Sequence, residues 1–286
     1  MGKSLSPVTI VEGLGALASP PTTYTRLVKT IEDPFSSAEK IAKVVSDDPD
    51  VTARLLRIVN SSYYGFPRRI ETVSHAVALV GTDQLKDLTL ATTVLRAFGG
   101  LPSELIDMEA FWKHSVACGL VARLLAYRRR EPNPERFFVA GLLHDIGRLI
   151  LYLKLPKESA VLLEEAKRSG ELLHVLEQKF LKFDHGDVGA ALMEAWNLPE
   201  VHRATVRYHH RPSGASSFPA EVATVHVADV VANSLGLGTS GGLFVPPLEE
   251  EAWDLLGLPV DVLRPLVEET EQRYGDTVKF VLEMAA

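Results

Sequence analysis

The stretch Ala140-Gly141-Leu142-Leu143-His144-Asp145-Ile146-Gly147-Arg148 decides how the chain is read. An adjacent His and Asp follow an apolar helical run and precede a glycine. A neutral imidazole beside a carboxylate is an N/O donor pair that suits Zn, Fe, Mn or Ni better than it suits soft metals. Neighbours on a helix point about 100° apart, so one element can turn both donors toward an ion in the crevice between helices. The same dipeptide also fits a helix end, with the Asp accepting backbone N–H bonds and the His packed in the core. Partners elsewhere in the chain have to decide between the two.

Outward from this stretch, the periodicity is helical. Apolar residues recur at helical spacing over 24–31 and 37–45, and over 51–60 behind Asp48 and Pro49. They recur again over 72–80 up to Gly81, and from 83 to about 98 up to Gly99-Gly100. A long helix is predicted from about 107 to 129, carrying Phe111, Trp112, His114, Leu120 and Leu124. Helices over 159–168, 172–180 and 184–196 follow the opening motif, and a segment opened by Asn197-Leu198-Pro199 ends in Tyr208-His209-His210. A further helix carries His226 and Asp229 to about 235, the glycine-rich stretch 236–247 reads as a mobile loop, and the tail is helical. No stretch alternates as a strand and no repeat has a fixed period. The expectation is an all-α protein, with an N-terminal helical bundle over 1–100 packed on a second helical bundle over 101–286. The boundary is placed at Gly99-Gly100-Leu101-Pro102-Ser103.

With 286 residues and 46% apolar side chains the chain can bury a large core. Thirty Lys and Arg against 37 Asp and Glu give a net charge of −7, which works against a general nucleic-acid surface. The one compact basic run, Arg128-Arg129-Arg130, reads as a helix end whose cations suit the C-terminal dipole. No apolar run approaches the roughly 20 residues that span a bilayer, and Met1 to Pro7 lacks the features of a signal peptide. The cytoplasm is therefore expected, with no membrane partner. Cys118 is the single cysteine, so a metal here would be held by His and carboxylate groups.

Seven such groups lie on or at the ends of predicted helices: His114, His144, Asp145, His185, His209, His210 and Asp229. Of the nine histidines, His75, His174 and His202 read as structural or surface residues. His226, three residues before Asp229, reads as a supporting or packing group.

This order of residues resembles the HD superfamily of metal-dependent phosphohydrolases. The resemblance implies that His114, His144, Asp145 and Asp229 hold one metal. It also implies that Asp145 bridges to a second held by His185, His209 and His210, as in the two-metal cyclic-di-GMP phosphodiesterases. The first hundred residues are similar to the HDOD domain, an HD-related output domain. The similarity rests on Asp48-Pro49-Asp50-Val51-Thr52-Ala53-Arg54-Leu55-Leu56-Arg57-Ile58-Val59-Asn60-Ser61-Ser62-Tyr63-Tyr64-Gly65 and on Ala76-Val77-Ala78-Leu79-Val80-Gly81, and it extends from about Pro20 to His210. HDOD domains are bacterial signalling modules, and many lack the metal ligands. This chain keeps them, but it has Arg148 where the cyclic-di-GMP enzymes carry a lysine. It also reads Arg211-Pro212-Ser213-Gly214 where they carry an acidic residue and a Gly-Tyr-Pro triplet.

Two functions follow as expectations. The first is a signalling module that binds a protein partner or a small nucleotide-like ligand, with one or two divalent transition ions (Fe, Mn, Zn or Ni). The second is a metal-dependent phosphohydrolase in which Asp145 bridges the metals and Arg148 steadies a phosphate. Asn60 and Ser61 fit either a family function or a plain helix C-cap.

Overall fold

The computed structural model describes residues 5–60, 64, 66–98 and 104–285. Among the described residues there are helices and no strands. In chain order the α-helices are α1 (Pro7–Glu12), α2 (Thr22–Glu32), α3 (Ala38–Ser46), α4 (Pro49–Val59), α5 (Val73–Val80), α6 (Thr82–Phe98), α7 (Met108–Arg128) and α8 (Pro134–Leu143). They continue as α9 (Ile146–Lys154), α10 (Pro156–Ser169), α11 (Leu173–Leu181), α12 (His185–Ala195), α13 (Glu200–Tyr208), α14 (Pro219–Ser234), α15 (Glu250–Leu256) and α16 (Leu263–Ala285). No helix among the described residues is long and apolar enough to cross a membrane.

The chain forms two compact units, and they are not consecutive blocks. One comprises Met1–Ser19 and Pro102–Val267, the other Pro20–Leu101 and Glu268–Ala286. The division into 1–100 and 101–286 therefore needs correction at both ends of the chain, and the linker stretch 99–103 lies outside the described residues. The start of the chain joins the first unit because α1, closed by a Ser6 capping box with Pro7 in its first turn, buries Ile10 and Val11 against α12 and α9. Trp196 Nε1 then donates to the Leu17 carbonyl at 3.0 Å.

In the second unit, side-chain caps set the helix starts. Ser37 accepts from Lys40 N, Asp48 from Val51 N and Thr72 from His75 N. α6 is buried along most of its length, and the hydroxyls of Thr89, Thr92 and Thr93 donate to carbonyls of its own preceding turn. Asn60 clamps the segment after α4: its amide donates to the Leu56 and Ile70 carbonyls, and its oxygen accepts from Ile70 N, each at 2.7 Å. That gives Asn60 a structural task; Ser61 lies outside the described residues.

In the first unit α7 is the central helix, packed by α8 and α14, and it meets α8 backbone to backbone at Gly119 and Gly141. Its basic end is used locally. Arg129 pairs with Glu131 and donates to the Leu255 carbonyl. α9 lies against α12, where a Cβ on Gly147 would land on the His185 carbonyl. Only glycine allows the two helices to approach so closely. Cys118 is buried, with its thiol 3.9 Å from the Val225 carbonyl.

Candidate metal centre

His144 and Asp145 do not sit within one helix. α8 ends at Leu143 with His144 as its cap residue, and Asp145 (φ −99°, ψ 10°) breaks the chain before α9. The Asp145 carboxylate makes no capping bond, so the helix-end reading of that side chain does not hold. Instead the break turns both side chains inward, and Asp145 is 2% exposed.

The other five candidates arrive from four places. His114 comes from the first half of α7, His185 from the first residue of α12, His209 and His210 from the end of α13, and Asp229 from α14. Asp184 caps α12 and, with Asp187, forms a capping box that fixes where His185 begins the helix.

Asp145 faces two clusters with its two oxygens. Oδ2 is 3.1 Å from His144 Nε2 and 3.7 Å from His114 Nε2. Asp229 Oδ1 closes that side at 3.1 Å from His114 Nε2 and 3.5 Å from His144 Nε2. Asp145 Oδ1 is 3.0 Å from His185 Nε2 and 3.7 Å from His209 Nε2. His185 Nε2 is also 3.2 Å from His209 Nε2 and 3.1 Å from His210 Nε2. The donor atoms of His114, His144 and Asp229, and those of Asp145, His185, His209 and His210, each lie within 4.8 Å of one another. The structure thus brings all seven residues together.

The protons of three rings are fixed from behind. His144 Nδ1 donates to the Gly141 carbonyl at 2.6 Å, and His209 Nδ1 to the Val206 carbonyl at 2.8 Å. His185 Nδ1 donates to the Glu177 carboxylate at 2.6 Å. In a neutral imidazole with Nδ1–H, Nε2 is a lone pair. These lone pairs converge on one another and on carboxylate oxygens, and His144 Nε2 is buried without a hydrogen-bond partner. Acceptors facing acceptors are reconciled by protons or by a cation between them, and an imidazole held by its far nitrogen is how proteins aim histidine at a metal.

The electrostatics agree. Burial opposes charge on Asp145, yet His144 and Arg148 hold its carboxyl well below the usual range. Asp229 is likewise held down, against burial, by the His114 and His144 rings beside it. Burial and the Arg148 charge lower His185, but Glu177 and Asp145 outweigh them and push it up to about 9. Burial drives His209 and His210 down. Burial lowers His144, but the Asp145 carboxylate outweighs it and raises the ring well above its usual value. The centre therefore keeps charged carboxylates beside two rings that hold protons, His144 and His185, and two that give them up, His209 and His210, a donor set in which a divalent ion could take the place of the protons.

Three supporting residues stand out. Arg148, in the first turn of α9, donates from Nε to Asp145 Oδ1 at 3.1 Å. His226 Nε2 accepts from Glu249 N at 3.0 Å, so its Nδ1–H donates to the His209 carbonyl at 2.7 Å, and both nitrogens are committed. Glu177, missed in the sequence, is 2% exposed and holds His185 by its ring and its backbone N–H. The available signal was a carboxylate four residues after Leu173, on the apolar side of α11. His174 has a structural place beside the centre. Its ring stacks on His210 at 4.0 Å, and burial, then His185 and Arg148, push it down to about 3. His75 is exposed and His202 is buried away from the centre's described contacts.

The stretch 236–247 is also not a free loop. Thr239 N donates to the Ala110 carbonyl at 3.0 Å, and Tyr152 Oη donates to the Ser240 carbonyl at 2.8 Å. It lies as a strap beside the centre.

The family model of the HDOD domain matches residues 17–212. The chain belongs to the HDOD family. An uncharacterized protein of Treponema pallidum (strain Nichols) is 26% identical over 224 residues, covering 78% of this chain and 43% of that protein. The HDOD chain thus spans less than half the length of this relative. Among solved structures, an HDOD domain protein of unknown function from Geobacter sulfurreducens shares the fold at a TM-score of 0.78 and 24% identity, over 97% of this chain and 98% of the other. A protein of Shewanella amazonensis SB2B gives 0.74 at 23% identity over 99% of both chains.

Proposed function

We propose that this HDOD protein is a bacterial signalling module whose helical platform binds a small phosphate-bearing ligand or a protein partner around a two-metal His/Asp centre. The observation that supports the metals is the placement of Asp145, with one carboxylate oxygen in each cluster and three rings anchored through Nδ1. His114, His144, Asp145 and Asp229 hold one ion, and Asp145, His185, His209 and His210 hold the other. Divalent Fe, Mn, Zn or Ni bound there supplies Lewis acidity to an anionic ligand. The test is elemental analysis of protein purified without chelator and after incubation with each metal. One or two ions per chain are expected, and Asp145→Ala should lower the content more than His114→Ala or His210→Ala. No bound metal under any loading condition would sink the proposal.

A second reading, a phosphohydrolase, is favoured by Arg148, whose Nη1 is buried without a hydrogen-bond partner. Cyclic-di-GMP is not the expected substrate. After His210 the chain makes a single 3₁₀ turn, Pro212–Gly214, and Arg211 is engaged with Asp184 at 3.2 Å. Robust metal-dependent turnover of cyclic-di-GMP, abolished by Asp145→Ala, would make the chain an enzyme of that class.

A further inference from the structure

A narrow cavity opens over the centre, with Asp145, Arg148, His174 and His210 among the groups that line it. Arg148 is 4% exposed. Its Nε is bound to Asp145, but Nη1 has no acceptor although it is buried. A buried guanidinium N–H left without an acceptor is costly, so whatever fills the cavity is expected to bring one. The planar fork of an arginine matches an oxyanion better than any neutral group.

The space is small. Its interior is about 30 Å³, room for one or two water-sized groups. The end of a tetrahedral oxyanion can enter. A phosphodiester carrying a sugar on both sides cannot reach Arg148 without moving a wall.

The wall that can move is the strap 236–247. Leu243 and Phe244 from the strap line the cavity while remaining 54% and 43% exposed, so they meet the part of a ligand that stays outside. The strap is tied down at the Ser240 carbonyl by Tyr152, which lies one helical turn from Arg148 on α9. Gly241 sits against the same tyrosine with φ +110°, where a Cβ would land on Tyr152 Oη. A side chain at 241 would push the strap off its tether.

We infer that this cavity binds a terminal phosphoryl group, as free phosphate or a phosphate monoester, with Arg148 as the anion contact and the strap 236–247 as the element that excludes phosphodiesters. The inference rests on the metal-centre reading above, since the phosphoryl group is placed beside the Asp145 clusters.

The test is calorimetric titration of the metal-loaded full chain with inorganic phosphate, with p-nitrophenyl phosphate, bis-p-nitrophenyl phosphate and acetate as competitors. Phosphate and the monoester should compete for one site, while the diester and acetate should not. Arg148→Gln should weaken phosphate about tenfold or more, the scale of one lost charge-assisted hydrogen bond. Gly241→Ala, which leaves Arg148 in place and so stands if the arginine variant fails to fold, should admit the diester. Three results would overturn the inference: wild-type protein binding the diester as tightly as phosphate, acetate competing equally, or Gly241→Ala leaving the diester excluded. Metal content measured on the same samples separates the two claims. Protein without metal counts against the centre, and metal-loaded protein that ignores phosphate counts against this inference alone.

Discussion

Glu177 is placed to tune the affinity of the proposed centre without being one of its ligands. It accepts from both the ring and the backbone N–H of His185, which fixes the ring's tautomer and its angle. Glu177→Gln keeps the size and removes the charge that makes Nδ1 a committed donor. Metal affinity, read by chelator competition, should then fall about 10–100-fold, the usual cost of losing such a partner. Unchanged affinity would mean that His185 is not a ligand. Of the seven candidates that the structure brings together, His144, Asp145, His209 and His210 stood out in the sequence as adjacent pairs, while His114, His185 and Asp229 came from the resemblance to the HD superfamily. Glu177 and His174 did not stand out. A carboxylate and an imidazole on an amphipathic helix look like its solvated side until the burial of α11 is known, and only then does the stacking of His174 on His210 become visible.

Among the elements, helix placement was read well where caps and apolar periodicity coincide, as at Ser37, Asp48 and Thr72. It was missed at α1, whose six residues are too few to show a period. The packing of α9 on α12 depends on the absence of a side chain. In Gly147→Ala the new methyl meets the His185 carbonyl, which is backbone and cannot rotate away. Overpacking of this kind costs about 1–3 kcal/mol or more. It should also move His185 from Asp145, so urea unfolding and metal content should both fall; a loss of stability with metal retained would show that the helices re-pack without disturbing the donors. Asp48 gives a pH prediction for the second unit. Burial raises its pKa, but Thr23 at 2.7 Å, the Val51 N–H and Arg96 together leave it below the ordinary 3.8. Because the folded value is the lower one, its stabilisation is full above pH 3.8 and fades as pH falls through the folded value. Asp48→Ala should therefore cost about 0.5–2 kcal/mol near neutral pH and progressively less in acid. A cost independent of pH would assign the effect to packing rather than to the carboxylate.

For the molecule as a whole, the all-helical class followed from periodicity alone, but the discontinuous composition of the two units did not. Nothing in Pro7–Glu12 announces that it belongs beside a helix nearly two hundred residues later, because long-range pairing depends on shape complementarity that a one-dimensional pattern does not carry. The division has an experimental consequence, since every proposed ligand lies in the unit comprising Met1–Ser19 and Pro102–Val267. An ion that binds only the folded state stabilises what it holds by about 2.7 kcal/mol at a hundred times its Kd. That free energy is shared by the segments whose donors it draws together: α7, the α8–α9 junction, the start of α12, the end of α13, and α14. Stripping the metal should therefore raise amide hydrogen exchange at 114–118, 141–148, 185–189, 206–210 and 226–230, where the helical backbone loses tertiary support once mutually repelling donors are exposed to one another. The second unit, with no donor of its own in the centre, should keep its exchange pattern over 22–60 and 72–98. Equal deprotection of both sets on chelation would show that the metal acts on global folding rather than on the site. No change in either would mean that the donors pack stably without it, leaving the facing lone pairs of His185, His209 and His210 to be bridged by protons.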